Sequence, residues 1–132
     1  MRYLTLGELV EAHRVLLERY GGSAGMRDQG LLESAIHRPQ ASVFGKEAYP
    51  TVFDKAAALC HSLLLNHPFI DGNKRVAFAA CHLTLMMNGY SLTSSSIETY
   101  DFLIRVIKNH PDWTEISSWL KAHCKKIGAR GV

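Results

Sequence analysis

The stretch from His67 to Arg75 contains the side chains of this sequence that are best suited to chemistry. It reads His-Pro-Phe-Ile-Asp-Gly-Asn-Lys-Arg and so holds an imidazole, a carboxylate, an amide and two cations. Histidine is the side chain that most readily accepts a proton near neutral pH, which makes His67 a general base. The carboxylate of Asp71 is a hard oxygen ligand of the kind that Mg²⁺ bound to phosphate prefers. The stretch therefore predicts a base beside a metal ligand.

The residues from Asp71 to Arg75 predict a turn that opens a helix. The first N–H groups of a helix lack partners within it and carry the positive end of its dipole, so they attract phosphate. Gly72 lets the backbone approach a ligand closely, and Asn73 can cap the helix or bind a phosphate oxygen. Lys74 and Arg75 add positive charge where phosphoryl oxygens would lie. These four residues, Gly72 to Arg75, are the predicted anion site.

Two helices are predicted to hold this motif in place. The first extends from Thr51 to Asn66, with Thr51 as its N-cap and Asp54 at capping-box spacing. The second extends from Val76 to Asn88 and ends at Gly89. The motif is therefore predicted to connect two consecutive helices.

The rest of the chain predicts further helices and no sheet. Capping residues and apolar periodicity place them at Thr5–Gly21, Leu31–His37, Ser95–Lys108 and Asp112 to about Lys126. The longest non-helical segment lies between Pro39 and Pro50 and is interpreted as a connecting loop. We therefore expect an all-α fold, a compact bundle of about six helices that forms one domain over residues 1–132.

Composition indicates a soluble globular protein. The chain has 132 residues, of which 47% are apolar and 20% charged, and it has no apolar run near the ~20 residues that span a bilayer. Its first residues do not resemble a signal peptide. Three cysteines without metal-like spacing indicate free thiols and a cytoplasmic location.

The charge distribution does not indicate nucleic-acid binding. A net charge of +3 is small, and no aromatic residues interleave the terminal lysines. The basic residues near the end are interpreted as a solvated helix face, and residues 128–132 as a frayed tail. This basic group comprises Lys121, Lys125, Lys126 and Arg130.

The motif His67-x-Phe69-x-Asp71-Gly72-Asn73-x-Arg75 resembles the signature of the Fic/Doc family. The resemblance covers the chain from near its start to about Tyr90, and it includes upstream segments that such chains usually carry. These segments are Arg19-Tyr20-Gly21-Gly22, Gly25-Met26-Arg27, Gly30 to Ala35 and Arg38-Pro39-Gln40. The resemblance implies the helical Fido fold, with a flap before the motif that aligns the backbone of a target protein.

Two positions separate this motif from that of the adenylylating members. Lys74 stands where they carry glycine, and Phe78 stands where they carry a second arginine. Lys74 resembles the death-on-curing (Doc) branch, which implies ATP held in the reverse direction with its γ-phosphate offered for transfer. In that reaction His67 would be the base and Asp71 the Mg²⁺ ligand. Gly72 and Asn73 would line the anion site while Lys74 and Arg75 neutralise the phosphoryl oxygens.

The Doc branch also implies partners. Its members phosphorylate a threonine of elongation factor Tu, which stops translation, and are restrained by a Phd-like antitoxin. Some Fic proteins instead carry an inhibitory helix with a Ser/Thr-x-x-x-Glu-Gly/Asn pattern. Ser94 and Glu98 have that spacing, but Thr99 follows, so a separate antitoxin is expected.

The sequence leaves three other interpretations to consider. The chain could be a Fic-type adenylyltransferase that tolerates Lys74, or a catalytically idle binding module or co-repressor. A metal site could use His61, His67 and His82, each of which lies near a cysteine or the motif. Their spacing is neither i+3 nor i+4, so no pair shares a helix face, and the pattern argues against a structural zinc.

Overall fold

Six α-helices account for most of the molecule. A computed structural model describes residues 1–109 and 112–127, which contain six α-helices, one 3₁₀ turn and four short strands. The helices are α1 Leu6–Tyr20, α2 Gln29–His37, α3 Val52–Asn66, α4 Asn73–Met87, α5 Ser96–Lys108 and α6 Trp113–Ala122. A short 3₁₀ turn, Arg38–Gln40, follows α2. The predicted all-α fold of about six helices is confirmed.

Helices α3 and α4 form the centre of the bundle, and the motif connects them. Small residues such as Ala56, Ala57 and Ala77 are completely buried and let the helices approach closely. The predicted capping boxes are present, because Thr5, Thr51 and Ser95 each accept from the backbone N–H three residues on. The sequence therefore specifies both the start of α3 and its packing against α4.

Four short strands were not predicted. β1 (Ser42–Val43) and β2 (Lys46–Glu47) form an antiparallel hairpin within the segment that was expected to be a loop. β3 (Tyr90–Leu92) pairs with β4 (Cys124–Lys126). Strands of two or three residues are too short for an alternating pattern to show in the sequence.

The pairing of β3 with β4 corrects the predicted end of the last helix. α6 ends at Ala122, not near Lys126, so Lys125 and Lys126 lie on an exposed strand and not on a helix face. Arg130 and the predicted frayed tail, residues 128–132, lie outside the described residues. Two other helices begin earlier than predicted, α4 at Asn73 and α2 at Gln29.

The cysteines are free thiols, as predicted. Cys60 and Cys81 are buried between α3 and α4, and a hydrogen bond with Cys60, together with burial, raises the pKa of the Cys81 thiol. In the part of the chain that the structure describes, no helix is long and apolar enough to cross a bilayer.

Candidate active site

His67 terminates α3 in a left-handed backbone conformation, with φ 47° and ψ 61°. The residue before a proline disfavours the right-handed helical region, so Pro68 ends the helix here. Pro68 is buried, whereas His67 is exposed. The predicted base is therefore carried on a rigid helix end with its imidazole accessible.

The loop after His67 is closed by the side chain of Asn73. Its Oδ1 accepts the Phe69 N–H at 3.0 Å, and its Nδ2–H donates to the Phe69 carbonyl at 2.9 Å. Phe69 itself is buried and stacks on the His13 ring of α1, with centroids 3.8 Å apart. Asn73, predicted to line the anion site, uses its amide in this structure to fix the turn in front of α4.

Asp71 is exposed and is oriented by two backbone N–H groups. Ser23 donates to its Oδ2 at 3.0 Å and Gly72 to its Oδ1 at 2.8 Å. The bond from Ser23 and that from Gly72 hold the pKa of the carboxyl below its usual value, and the positive charge of Arg75 acts in the same direction. His13 fixes the carbonyl of Asp71 through its Nε2, which lies 2.8 Å from the oxygen.

The donor set fits the Mg²⁺ that the motif predicts. Each carboxylate oxygen of Asp71 accepts one hydrogen bond and keeps a further lone pair for a cation. Within residues 1–109 and 112–127 there is no group of three or more His, Cys, Asp or Glu side chains that could hold a metal. Magnesium bound through one carboxylate, substrate phosphates and water needs no such group.

The N-terminus of α4 has no side-chain cap. Gly72 precedes it in a left-handed conformation, φ 78°, and contributes no cap. A side chain caps each of the other five described α-helices, namely Thr5, Asp28, Thr51, Ser95 and Asp112. The first N–H groups of α4 are therefore left without the partner that the other helices supply.

The two cations of the motif extend from this first turn of α4. Lys74 and Arg75 are both exposed. The Arg75 guanidinium lies over the ring of Tyr20, 4.6 Å from its centroid, which is a cation–π contact. Tyr20 ends α1, so α1 helps to orient one of the predicted phosphate ligands.

The loop from Gly21 to Asp28 lies against the motif and was not assigned a role from the sequence. Arg27 donates its Nε–H to the His67 carbonyl at 2.7 Å, and Gly22 approaches Asp71 so closely that a Cβ would lie 2.8 Å from Oδ2. A Cβ on Gly25 would lie 2.6 Å from the Ile70 side chain. The signal that could have identified this loop is its glycine content, since glycine lets a backbone approach the side chains of another segment closely.

The segment predicted to be the flap is a hairpin that projects from the body. Its turn, Phe44-Gly45, has positive φ at both residues, and Phe44 is fully exposed. Its second strand is tied to α3 by Lys55, whose Nζ lies 2.7 Å from Glu47 Oε1 and 3.2 Å from the Pro39 carbonyl. Lys55 is buried, so this contact anchors the base of the hairpin.

Two surface cavities lie away from the motif. One, of about 600 Å³, is lined by α5 and α6 residues that include Asp101, Arg105 and Trp119. The other, of about 290 Å³, lies between the N-terminal segment and α2. No residue of the motif lines either of these two cavities, and within the motif His67, Asp71, Lys74 and Arg75 are exposed at the surface.

Comparison of the sequence with known proteins indicates the family. The sequence model of the Fic/DOC family matches residues 3–85. The chain is 52% identical over 75 residues to Toxin Doc of Mycolicibacterium smegmatis, an alignment that covers 57% of this chain and 58% of that protein. It is 36% identical over 95 residues to Protein kinase doc of Escherichia phage P1, covering 72% of this chain and 75% of that protein.

The helical bundle, with the motif His67 to Arg75 between its two central helices, has the architecture of the all-α Fido fold. The chain belongs to the Fic/Doc family. The matched segment includes α1, the loop from Gly21 to Asp28, the flap and the whole motif.

Proposed function

We propose that this protein is the toxin of a toxin–antitoxin pair and acts as a protein kinase. It would transfer the γ-phosphoryl group of ATP to a hydroxyl group of a cytoplasmic protein. The resemblance to the Doc branch suggests that this hydroxyl belongs to a threonine and that the target is elongation factor Tu. The names Toxin Doc and Protein kinase doc, given to its relatives, support this proposal. The antitoxin would be Phd-like, with a segment that orders on binding.

The observation that carries the proposal is the uncapped N-terminus of α4. Three kinds of positive group meet there, namely free N–H groups, the Lys74 ammonium and the Arg75 guanidinium. They suit the charge that spreads over the oxygens of a transferring phosphoryl group. Asp71 and His67 lie on the same short loop, so a phosphate held at α4 would have a base and a metal ligand beside it.

The proposed reaction divides the work among the motif residues. His67 accepts the proton of the target hydroxyl as its oxygen forms a bond to the γ-phosphorus. The bond between that phosphorus and the β,γ-bridging oxygen breaks, and ADP leaves with the electron pair. Lys74, Arg75 and the N–H groups of α4 bind the phosphoryl oxygens, and Asn73 keeps their loop in place.

Mg²⁺, bound by Asp71 and phosphate oxygens, would supply further neutralisation of charge. Lys74 favours phosphoryl over adenylyl transfer, because its exposed ammonium fills the position that a glycine leaves open. Phe78 supports the same conclusion, since it packs against the core and offers no charge to a phosphate.

The test uses ATP labelled separately at the γ and the α position, incubated with the protein and a bacterial lysate. We expect γ-label on one protein of the size of elongation factor Tu, and no transfer by His67→Ala. His37→Ala is the matched control, an exposed histidine at the end of α2 that should transfer normally. Transfer of α-label would identify an adenylyltransferase, and growth arrest that survives His67→Ala would identify a binding module.

A further inference from the structure

The C-terminal end of α3 is closed by a side chain from a distant part of the sequence. The last carbonyls of a helix have no partners within it. Arg27 donates its Nε–H to the His67 carbonyl at 2.7 Å and an Nη2–H to the Asn66 carbonyl. One guanidinium thus satisfies two consecutive carbonyls, and its charge complements the negative end of the helix dipole.

The backbone around Arg27 binds the next residues of the motif. The N–H groups of Arg27 and Asp28 both donate to the Pro68 carbonyl, at 2.7 and 3.0 Å. Ile70 donates to the Gly25 carbonyl at 3.0 Å, and Met26 forms an isolated β-bridge with Phe69. The segment Gly25–Asp28 therefore contacts every residue from Asn66 to Ile70.

The conformation of His67 requires such outside contacts. A left-handed backbone at a residue other than glycine is strained and persists only where its surroundings enforce it. Arg27 binds the carbonyl of that very residue. The imidazole extends from this backbone, so its position depends on the guanidinium.

We infer that Arg27 is a positioning residue for His67, holding the end of α3 in the conformation that presents the base. This rests on the proposed function. Lysine cannot replace it, because an ammonium is a point charge and lacks the planar fork that reaches two carbonyls. Arg27 acts through the backbone and not by binding phosphate.

Steady-state kinetics of Arg27→Lys and Arg27→Ala test the inference. We expect kcat to fall about 10- to 100-fold, the usual effect of a misplaced catalytic group, with KM for ATP within about twofold of the parent. Added methylguanidinium should restore part of the kcat of Arg27→Ala. Arg14→Ala is the control, since Arg14 is an exposed arginine that pairs with Glu11 and Glu18 of its own helix, α1. A raised KM for ATP at unchanged kcat would show phosphate binding instead and overturn the inference.

A second measurement separates this inference from the proposed reaction. The ¹³Cε1–¹H NMR signal of the His67 imidazole should shift in Arg27→Lys and stay in place in Arg14→Ala, whatever the protein transfers. An unchanged His67 signal in folded Arg27→Lys would refute the positioning role. Absence of γ-label transfer by the parent protein, by contrast, would count against the proposed function alone.

Discussion

Asp71 shows how a single exposed side chain can be held ready for a cation. Its two oxygens each accept one backbone N–H, from Ser23 and Gly72, and these bonds keep the carboxylate ionised and pointing in one direction. A proton competes with Mg²⁺ for the carboxylate, and only the ionised form binds Mg²⁺ well. The lowered pKa therefore favours binding of the metal. The sequence predicted Asp71 but not its support, since Ser23 lies 48 positions away and donates through its backbone.

Gly22→Ala should disturb that support. A Cβ at position 22 would lie 2.8 Å from Asp71 Oδ2, so the carboxylate must move off the Ser23 N–H. We therefore expect the pKa of Asp71 to rise towards its ordinary value of 3.8, and the Mg²⁺ concentration for half-maximal transfer to increase several-fold. The pKa is measured from the pH dependence of the ¹³C signal of the Asp71 carboxyl.

Gly21→Ala is the matched control for this change. Gly21 also has positive φ, 79°, so alanine strains the backbone there too, but nothing lies within 4 Å of its Cβ. The stability that the lowered pKa of Asp71 confers is present above pH 3.8 and is lost as the pH falls through the folded-state value. Gly22→Ala should narrow the pH range between these two pKa values, over which the stability is lost. Gly21→Ala should leave that range unchanged. Equal titration of Asp71 in both variants would contradict the prediction.

The helices were predictable because each carries its own start and end signals in its sequence. Capping boxes at Thr5, Thr51 and Ser95 fix three helix starts locally. The hairpin was missed because its turn, Phe44-Gly45, needs positive φ at a phenylalanine, which no turn preference favours. The contact between the buried Lys55 and the exposed Glu47, which anchors the hairpin, joins residues from two elements and leaves no periodic pattern.

Lys55→Met should release the hairpin while leaving the nucleotide site intact. Burial opposes the charge of Lys55, but its interactions with Glu47 and Tyr3 outweigh burial and raise its pKa, so the ion pair persists at neutral pH. Methionine fills a similar volume and loses the bond to Glu47. We expect faster amide hydrogen exchange over residues 42–47 and a higher KM for the protein target, with KM for ATP unchanged.

The control for the hairpin is Glu18→Gln, which breaks an exposed ion pair with Arg14 on α1. Such surface pairs contribute about 0–1 kcal/mol, so exchange in the hairpin should be unaffected. An effect of Lys55→Met on KM for ATP alone would remove the hairpin from target binding.

A small sheet, β3 with β4, joins the central part of the bundle to the last helix. β3 directly follows α4, and β4 follows α6, so their pairing connects the site helix to the last helix. Edge-on packing of Tyr90 against Phe53 of α3, with centroids 4.9 Å apart, adds a third element. Pairing between segments this far apart in the sequence leaves no local signal from which it could be predicted.

Lys125→Pro should weaken the fold through this sheet. Thr93 N–H donates to the His123 carbonyl and Ile127 N–H to the Gly89 carbonyl, at 2.7 and 2.8 Å. Hydrogen-bonded pairs alternate along an antiparallel ladder, so the Lys125 N–H points to β3 and bonds Ser91. Proline removes that donor and leaves a carbonyl unpaired, which should lower the free energy of unfolding by about 1–3 kcal/mol in urea titrations.

Lys126→Pro tests the same strand at a residue whose N–H faces the other way. By the same alternation the Lys126 N–H points away from β3, and proline is tolerated on edge strands where the N–H faces solvent. We expect its loss of unfolding free energy to be less than half that of Lys125→Pro. The proposed transfer reaction should proceed at the parental rate in Lys126→Pro, because its sheet and the start of α4 are both intact. Equal destabilisation by the two prolines would contradict the assigned direction of the Lys125 N–H towards β3.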